Sequence, residues 1–146
     1  MLVTRLLEFD TGHRVPNHSS KCKNVHGHRY KAEITLEGDV VGEKGVSDEG
    51  MVIDFGHIKT IAKRWIDTHW DHGYIGKKDE DEKLIALLSD MGSKVYPVDF
   101  VPTAENIAAH LFDQLMPLFE DVYGTNLKLH SIKLHETPNC FVVYQP

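Results

Sequence analysis

His26-Gly27-His28-Arg29-Tyr30-Lys31-Ala32-Glu33-Ile34-Thr35-Leu36-Glu37 is the stretch that decides the fold. His26, His28, Tyr30, Ala32, Ile34 and Leu36 share one register, while Arg29, Lys31, Glu33, Thr35 and Glu37 share the other. Successive strand side chains point to opposite faces, so this is a half-buried β-strand with both histidines on its core side. Upstream, Val3, Leu7, Phe9, Thr11, His13 and Val15 form a second inward row, interrupted by Arg5. If the two segments pair antiparallel through the polar loop from Pro16 to Val25, His13 arrives opposite His28. Three imidazoles then converge inward.

Neutral imidazole suits zinc, and three histidines that leave a fourth position open make the pattern of a catalytic rather than a structural zinc. Iron, nickel and copper accept the same donors. Any one of these histidines alone reads as an ordinary strand residue; it is the joint spacing that points to a metal. Cys22, in the loop, has two readings. It is either a fourth ligand that closes a structural site or a thiol free to act as nucleophile or base.

The chain has 146 residues, 41% hydrophobic and 26% charged, which suits one soluble globular domain spanning 1–146. Cys22 and Cys140 are its only cysteines, and no apolar signal segment opens it, so the expectation is a reducing cytoplasm. No run reaches membrane-spanning length, so no membrane partner is expected. A net charge of −6 argues against a nucleic-acid partner, which requires a basic face to displace counterions. Holding a phosphorylated small molecule needs only local cations.

Asp54 is a suitable cap for a helix whose stripe is Phe55, Ile58, Ile61, Ala62, Trp65, Ile66 and His69. Thr103 caps a second, with the stripe Ile107, Ala108, Leu111, Phe112, Leu115, Leu118, Phe119 and Val122, and Pro117 is expected to kink it or force an irregular turn. Strands over 127–136 and 141–144 close the chain around the Thr137-Pro138-Asn139 turn. Strand, strand, helix, helix, strand, strand with hairpin links makes an α+β layer, an antiparallel sheet carrying both helices on one face.

Glu136 shares a register with Ile132 and Leu134, so its carboxylate ends an apolar row. It is either paired with an internal cation or available to a ligand with parallel N–H donors. Asp71-His72 is either a proton-relay pair or a charged helix exit. His18, His57, His69, His110 and His130 read as surface or packing residues, and Cys140 as buried filler.

Phe9-Asp10-Thr11-Gly12-His13, Cys22-Lys23-Asn24-Val25-His26-Gly27-His28, Gly50-Met51-Val52-Ile53-Asp54-Phe55, Asp71-His72, Pro102-Thr103-Ala104-Glu105-Asn106 and His135-Glu136-Thr137 follow one another across nearly the whole chain. The set resembles the 6-pyruvoyl-tetrahydropterin synthase superfamily. The three-residue gap between Cys22 and His26 resembles its 6-carboxy-tetrahydropterin synthases of queuosine biosynthesis, whereas animal members carry a longer gap.

The resemblance implies the tunnelling fold (T-fold), with four antiparallel strands and two helices per subunit and sheets from several subunits closing into a barrel. Closure also removes the exposed sheet edges of a lone subunit. A homo-oligomer is implied, a hexamer built as a dimer of trimers, with sites between subunits and an inactive monomer. The implied reaction converts 7,8-dihydroneopterin triphosphate to 6-carboxy-5,6,7,8-tetrahydropterin, releasing acetaldehyde and triphosphate.

By the same resemblance His13, His26 and His28 hold Zn2+, Cys22 is the base, and His72, oriented by Asp71, shuttles protons. Glu136 anchors the pterin ring, Thr103 assists, and Arg14, Lys21 and Lys23 are the nearest cations for the triphosphate. The chain departs from shorter members over 76–101, where a mixed-charge run precedes a short helix over 84–91 and an extended 95–100. That insertion reads as a surface excursion, a cover for the site or a subunit contact. Trp70 also replaces the leucine usual before Asp-His. Two other readings are the sister reaction, which eliminates triphosphate to give 6-pyruvoyl-tetrahydropterin, and a non-catalytic zinc- or pterin-binding protein in which Cys22 closes the metal shell.

Overall fold

The computed structural model describes residues 1–146. β1 (Leu2–His13) and β2 (His26–Gly38) pair antiparallel along their whole length. His13 faces His26, and Thr11 faces His28. The register therefore differs by two residues from the expected His13–His28 pairing, because the ladder continues to the last residue of β1 and the first of β2. A shift of two preserves the face, so the histidines still converge. Leu7, Phe9, Thr11 and His13 are buried on one strand, and Tyr30, Ala32, Ile34 and Leu36 on the other.

β3 (Gly73–Lys77), β4 (Val95–Val98), β5 (Leu127–Thr137) and β6 (Cys140–Tyr144) complete one sheet of order β4-β3-β1-β2-β5-β6. β1, β2, β5 and β6 are the four antiparallel strands expected. β3 and β4 are added at the β1 edge, parallel to it and to each other. Residues 76–101 thus extend the sheet and are more than a surface excursion. β3 meets β1 only at Thr11–Gly73 and Gly12–Tyr74, too short a ladder to leave a readable alternation.

α1 spans residues 55–69 as an α-turn, Phe55–Ile58, a π-turn, Lys59–Lys63, and an α-segment, Arg64–His69. Asp54 caps it, its Oδ1 accepting from the Gly56 N–H at 2.6 Å. Ile58, Ala62, Trp65 and Ile66, spaced i, i+4, i+7 and i+8, are enclosed, while Phe55 in the first turn is exposed. α2 (Glu82–Asp90) ends before Gly92, which sits at φ +74°.

α3 (Ala104–Tyr123) is capped by Thr103, whose side chain accepts from the Asn106 N–H at 3.4 Å. It buries Ile107, Ala108, Leu111, Phe112, Leu115 and Phe119 against the sheet. Val122 lies off that stripe, exposed. The helix continues past Pro117 without an irregular turn. Pro117 is on the solvent side, where the carbonyl it leaves without a donor meets water. No helix is long and apolar enough to cross a membrane.

Candidate metal centre and flanking clefts

The buried row of β1 ends in His13, and the buried row of β2 begins with His26 and His28, so the apolar core gives way to imidazoles at one end of the sheet. One ring nitrogen from each lies within 4.8 Å of the others. Ring centroids are 4.6 Å apart for His13–His26, 5.0 Å for His26–His28 and 5.3 Å for His13–His28. Gly27 permits this convergence. A Cβ there would stand 3.0 Å from the Thr11 carbonyl oxygen, so any side chain would push β1 from β2 and spread the rings.

Hydrogen bonds fix two tautomers. His13 Nδ1 is 2.7 Å from the Pro102 carbonyl and His26 Nδ1 is 2.8 Å from that of Asn24. A carbonyl only accepts, so each Nδ1 carries the hydrogen and each Nε2 keeps its lone pair. This is the outer-shell support that metal-binding histidines use. Burial lowers the pKa of His13, outweighing the Pro102 bond that raises it. Burial lowers that of His28 too, against the pull of Glu136. Neutral nitrogen donors at this spacing fit zinc.

Glu136 projects from β5 beside a bulge between His135 and Thr137, and its Oε1 lies 3.6 Å from His13 Nε2 and 3.8 Å from His28 Nε2. The Tyr30 hydroxyl is 3.3 Å from His13 Nε2, and burial, then Glu136, raises its pKa. A cleft of about 300 Å³ opens beside His13, lined also by Cys22, Thr103, Glu136, His18 and Phe141. Cys22 sits half-buried in a short turn, Lys21–Lys23, and is not part of the histidine cluster.

A second cleft, about 370 Å³, opens beside His28 and Gly27, bordered by Asp10, Arg29 and His72. Asp71 Oδ2 is 3.0 Å from His72 Nδ1, and Asp71 Oδ1 accepts from the Asp10 N–H at 2.9 Å. Burial opposes ionisation of Asp71, yet the Asp10 N–H and then His72 outweigh it and hold the carboxyl below its usual range. His72 adopts φ +57°, a left-handed conformation uncommon outside glycine, with 76% of its side chain exposed. Asp71 and His72 therefore do touch. Within one chain, however, Cys22 and His72 line different clefts, with the histidine cluster between them.

A model of the 6-pyruvoyl tetrahydropterin synthase family matches residues 2–146. The chain belongs to the 6-pyruvoyl tetrahydropterin synthase family. It is 45% identical over 140 residues to a 6-carboxy-5,6,7,8-tetrahydropterin synthase of Rickettsia felis, covering 95% of this chain and 96% of that one. It is 37% identical to the protein of that name from Haemophilus influenzae, over 98% of this chain and 97% of the other. The solved structure of 6-pyruvoyl tetrahydropterin synthase from Caenorhabditis elegans superposes with a TM-score of 0.68 over 100% of this chain and 95% of that one, at 24% identity. The tunnelling fold of the subunit is thereby shown, and the chain is an enzyme of the pterin synthase type.

In this member of the 6-pyruvoyl tetrahydropterin synthase family His13, His26 and His28 converge as their spacing suggested, Glu136 lies beside them, and Cys22 and Thr103 border the same cleft. The Arg14 guanidinium donates to Asp81 and to the Glu80 carbonyl, and with Lys23 it borders a separate cavity of about 540 Å³. Cys140 is exposed and borders the cleft instead of filling the core. His18 and Phe141 also line it and were missed. The pairing of Phe141 with His135 across the final hairpin was the available signal, since it places the start of β6 beside Glu136.

Proposed function

We propose that this chain converts 7,8-dihydroneopterin triphosphate and one water to 6-carboxy-5,6,7,8-tetrahydropterin, releasing acetaldehyde and triphosphate, as a zinc enzyme of queuosine (7-deazapurine) biosynthesis. The observation that carries this reading is the 45% identity, along nearly both full lengths, to a synthase named for that product. His13, His26 and His28 would hold the zinc, which supplies a Lewis acid for the side-chain oxygens of the substrate.

The protein's own groups do the rest. Cys22, outside the histidine cluster, is the base that takes a C–H proton of the substrate side chain. His72, oriented by Asp71, passes protons on. Glu136 accepts the amino and ring N–H of the pterin as a fork, and the Thr103 hydroxyl adds a hydrogen bond at the mouth of α3. Hydrogen shifts within the substrate supply the ring reduction, so no nicotinamide is required. Because Cys22 and His72 line separate clefts, the reading places a complete site between chains of a homo-oligomer, a hexamer built as a dimer of trimers. Two unpaired cysteines suit a cytoplasmic setting.

Incubation of the zinc-loaded protein with dihydroneopterin triphosphate, with acetaldehyde trapped and products weighed by mass spectrometry, tests the proposal. A 6-carboxy product with an equivalent of acetaldehyde is expected. A 6-pyruvoyl product without acetaldehyde would replace it with the sister reaction. An intact substrate, together with metal loss in Cys22→Ala, would make the chain a binding protein.

A further inference from the structure

Asp81, in the turn between β3 and α2, is the one buried carboxylate of the chain, and the proposed chemistry does not use it. Its side chain is fully enclosed, a costly place for a charge unless donors surround it. Three do. Arg14 Nε donates to Oδ1, while the Lys77 N–H at 3.1 Å and the Tyr74 hydroxyl at 3.3 Å donate to Oδ2. Removing the carboxylate would leave the guanidinium without its partner.

Arg14 immediately follows the His13 ligand, and its fork spans two segments. Nη2 donates to the Glu80 carbonyl at 2.8 Å, and Nη1 reaches the Lys23 carbonyl at 3.5 Å. The neighbouring Val15 N–H donates to the Cys22 carbonyl at 2.8 Å. Two consecutive carbonyls of the turn that carries the thiol are thus held from residues 14 and 15. Asn17 ties the same loop to Glu80, Nδ2 to Oε1, at 3.2 Å.

We propose that Asp81 is a positioning residue, which through Arg14 fixes the Cys22 turn relative to the histidine cluster. The inserted residues 76–101 then serve the site without touching substrate. This rests on the reading of Cys22 as base. A planar guanidinium is needed, because a lysine keeps the charge beside Asp81 but cannot also reach the Glu80 and Lys23 carbonyls. Small misplacement of a reacting group lowers turnover steeply, by about 10²-fold for an ångström.

The test uses a Cys140→Ala parent, in which Cys22 is the only thiol, with Asp81→Asn and Arg14→Lys built on it. Measured for each are kcat, KM, zinc content, melting temperature and the rate at which iodoacetamide alkylates Cys22 at fixed pH. Both variants are expected to lose about 10²-fold in kcat, with KM and zinc content little changed and an altered alkylation rate. Arg14→Lys should melt closer to the parent than Asp81→Asn, and it carries the test alone if Asp81→Asn fails to fold. Variants that melt lower yet keep the parental kcat and alkylation rate would overturn the proposal. If the wild-type protein does not turn over, the proposed function fails, while the alkylation rates still decide whether Asp81 positions the thiol.

Discussion

His13, His26 and His28 stand at the paired ends of two strands, whereas Cys22, Asp71 and His72 stand on turns beyond the sheet. The strand ladder sets the first group within one chain, and backbone carbonyls orient two of its rings. The second group is divided between two clefts, one on each side of the histidines. One chain thus brings the three histidines together, but it leaves Cys22 and the Asp71–His72 pair in separate clefts.

The largest expected effect breaks the first region. His26→Ala or His28→Ala should abolish stoichiometric zinc binding, measured by elemental analysis, and reduce turnover to background. Cys22→Ala should keep zinc while turnover falls by about 10²–10⁴-fold, the usual contribution of a general base. If it loses zinc instead, the division drawn here is wrong. Mixing refolded Cys22→Ala and His72→Ala chains sharpens the comparison: partial recovery of turnover is expected when each chain completes the other's site.

Gly27→Ala should act more mildly. The added Cβ meets the Thr11 carbonyl, so the rings spread and zinc affinity falls on the order of 10-fold, readable by chelator competition. The smallest effect is on stability against pH. Asp71 and Glu33 both have pKa values lowered in the fold, Asp71 by the Asp10 N–H and His72 against burial, Glu33 chiefly by His135. A carboxyl depressed in the folded state stabilises fully above its unfolded value, 3.8 for Asp71 and 4.5 for Glu33. That contribution disappears as pH falls through the lower folded values. Melting temperatures of the metal-free protein should therefore decline below about pH 4.5, and less steeply in Asp71→Asn with Glu33→Gln.

What could be read in advance follows the same division. The period-two rows of β1 and β2 named the histidines and their face, because burial on one side of a sheet imposes alternation. Asp54 and Thr103 marked two helix starts, because caps are local hydrogen bonds between near neighbours. The pairing of His13 was misjudged by two residues, since alternation fixes a face but not a register. The extended 95–100 is β4, but β3, the parallel placement of β4 beside it and the Arg14–Asp81 pair were illegible for another reason. They depend on contacts between segments far apart in the chain, and short parallel strands carry no alternation of their own. The π-turn in α1 left no local signature either.

X-ray absorption at the zinc edge of the wild-type protein identifies the atoms that surround the ion. We expect nitrogen and oxygen neighbours at about 2.0–2.1 Å, three of them imidazoles, with no sulfur in the shell. A sulfur neighbour at about 2.3 Å would put Cys22 on the metal and contradict its role as the base.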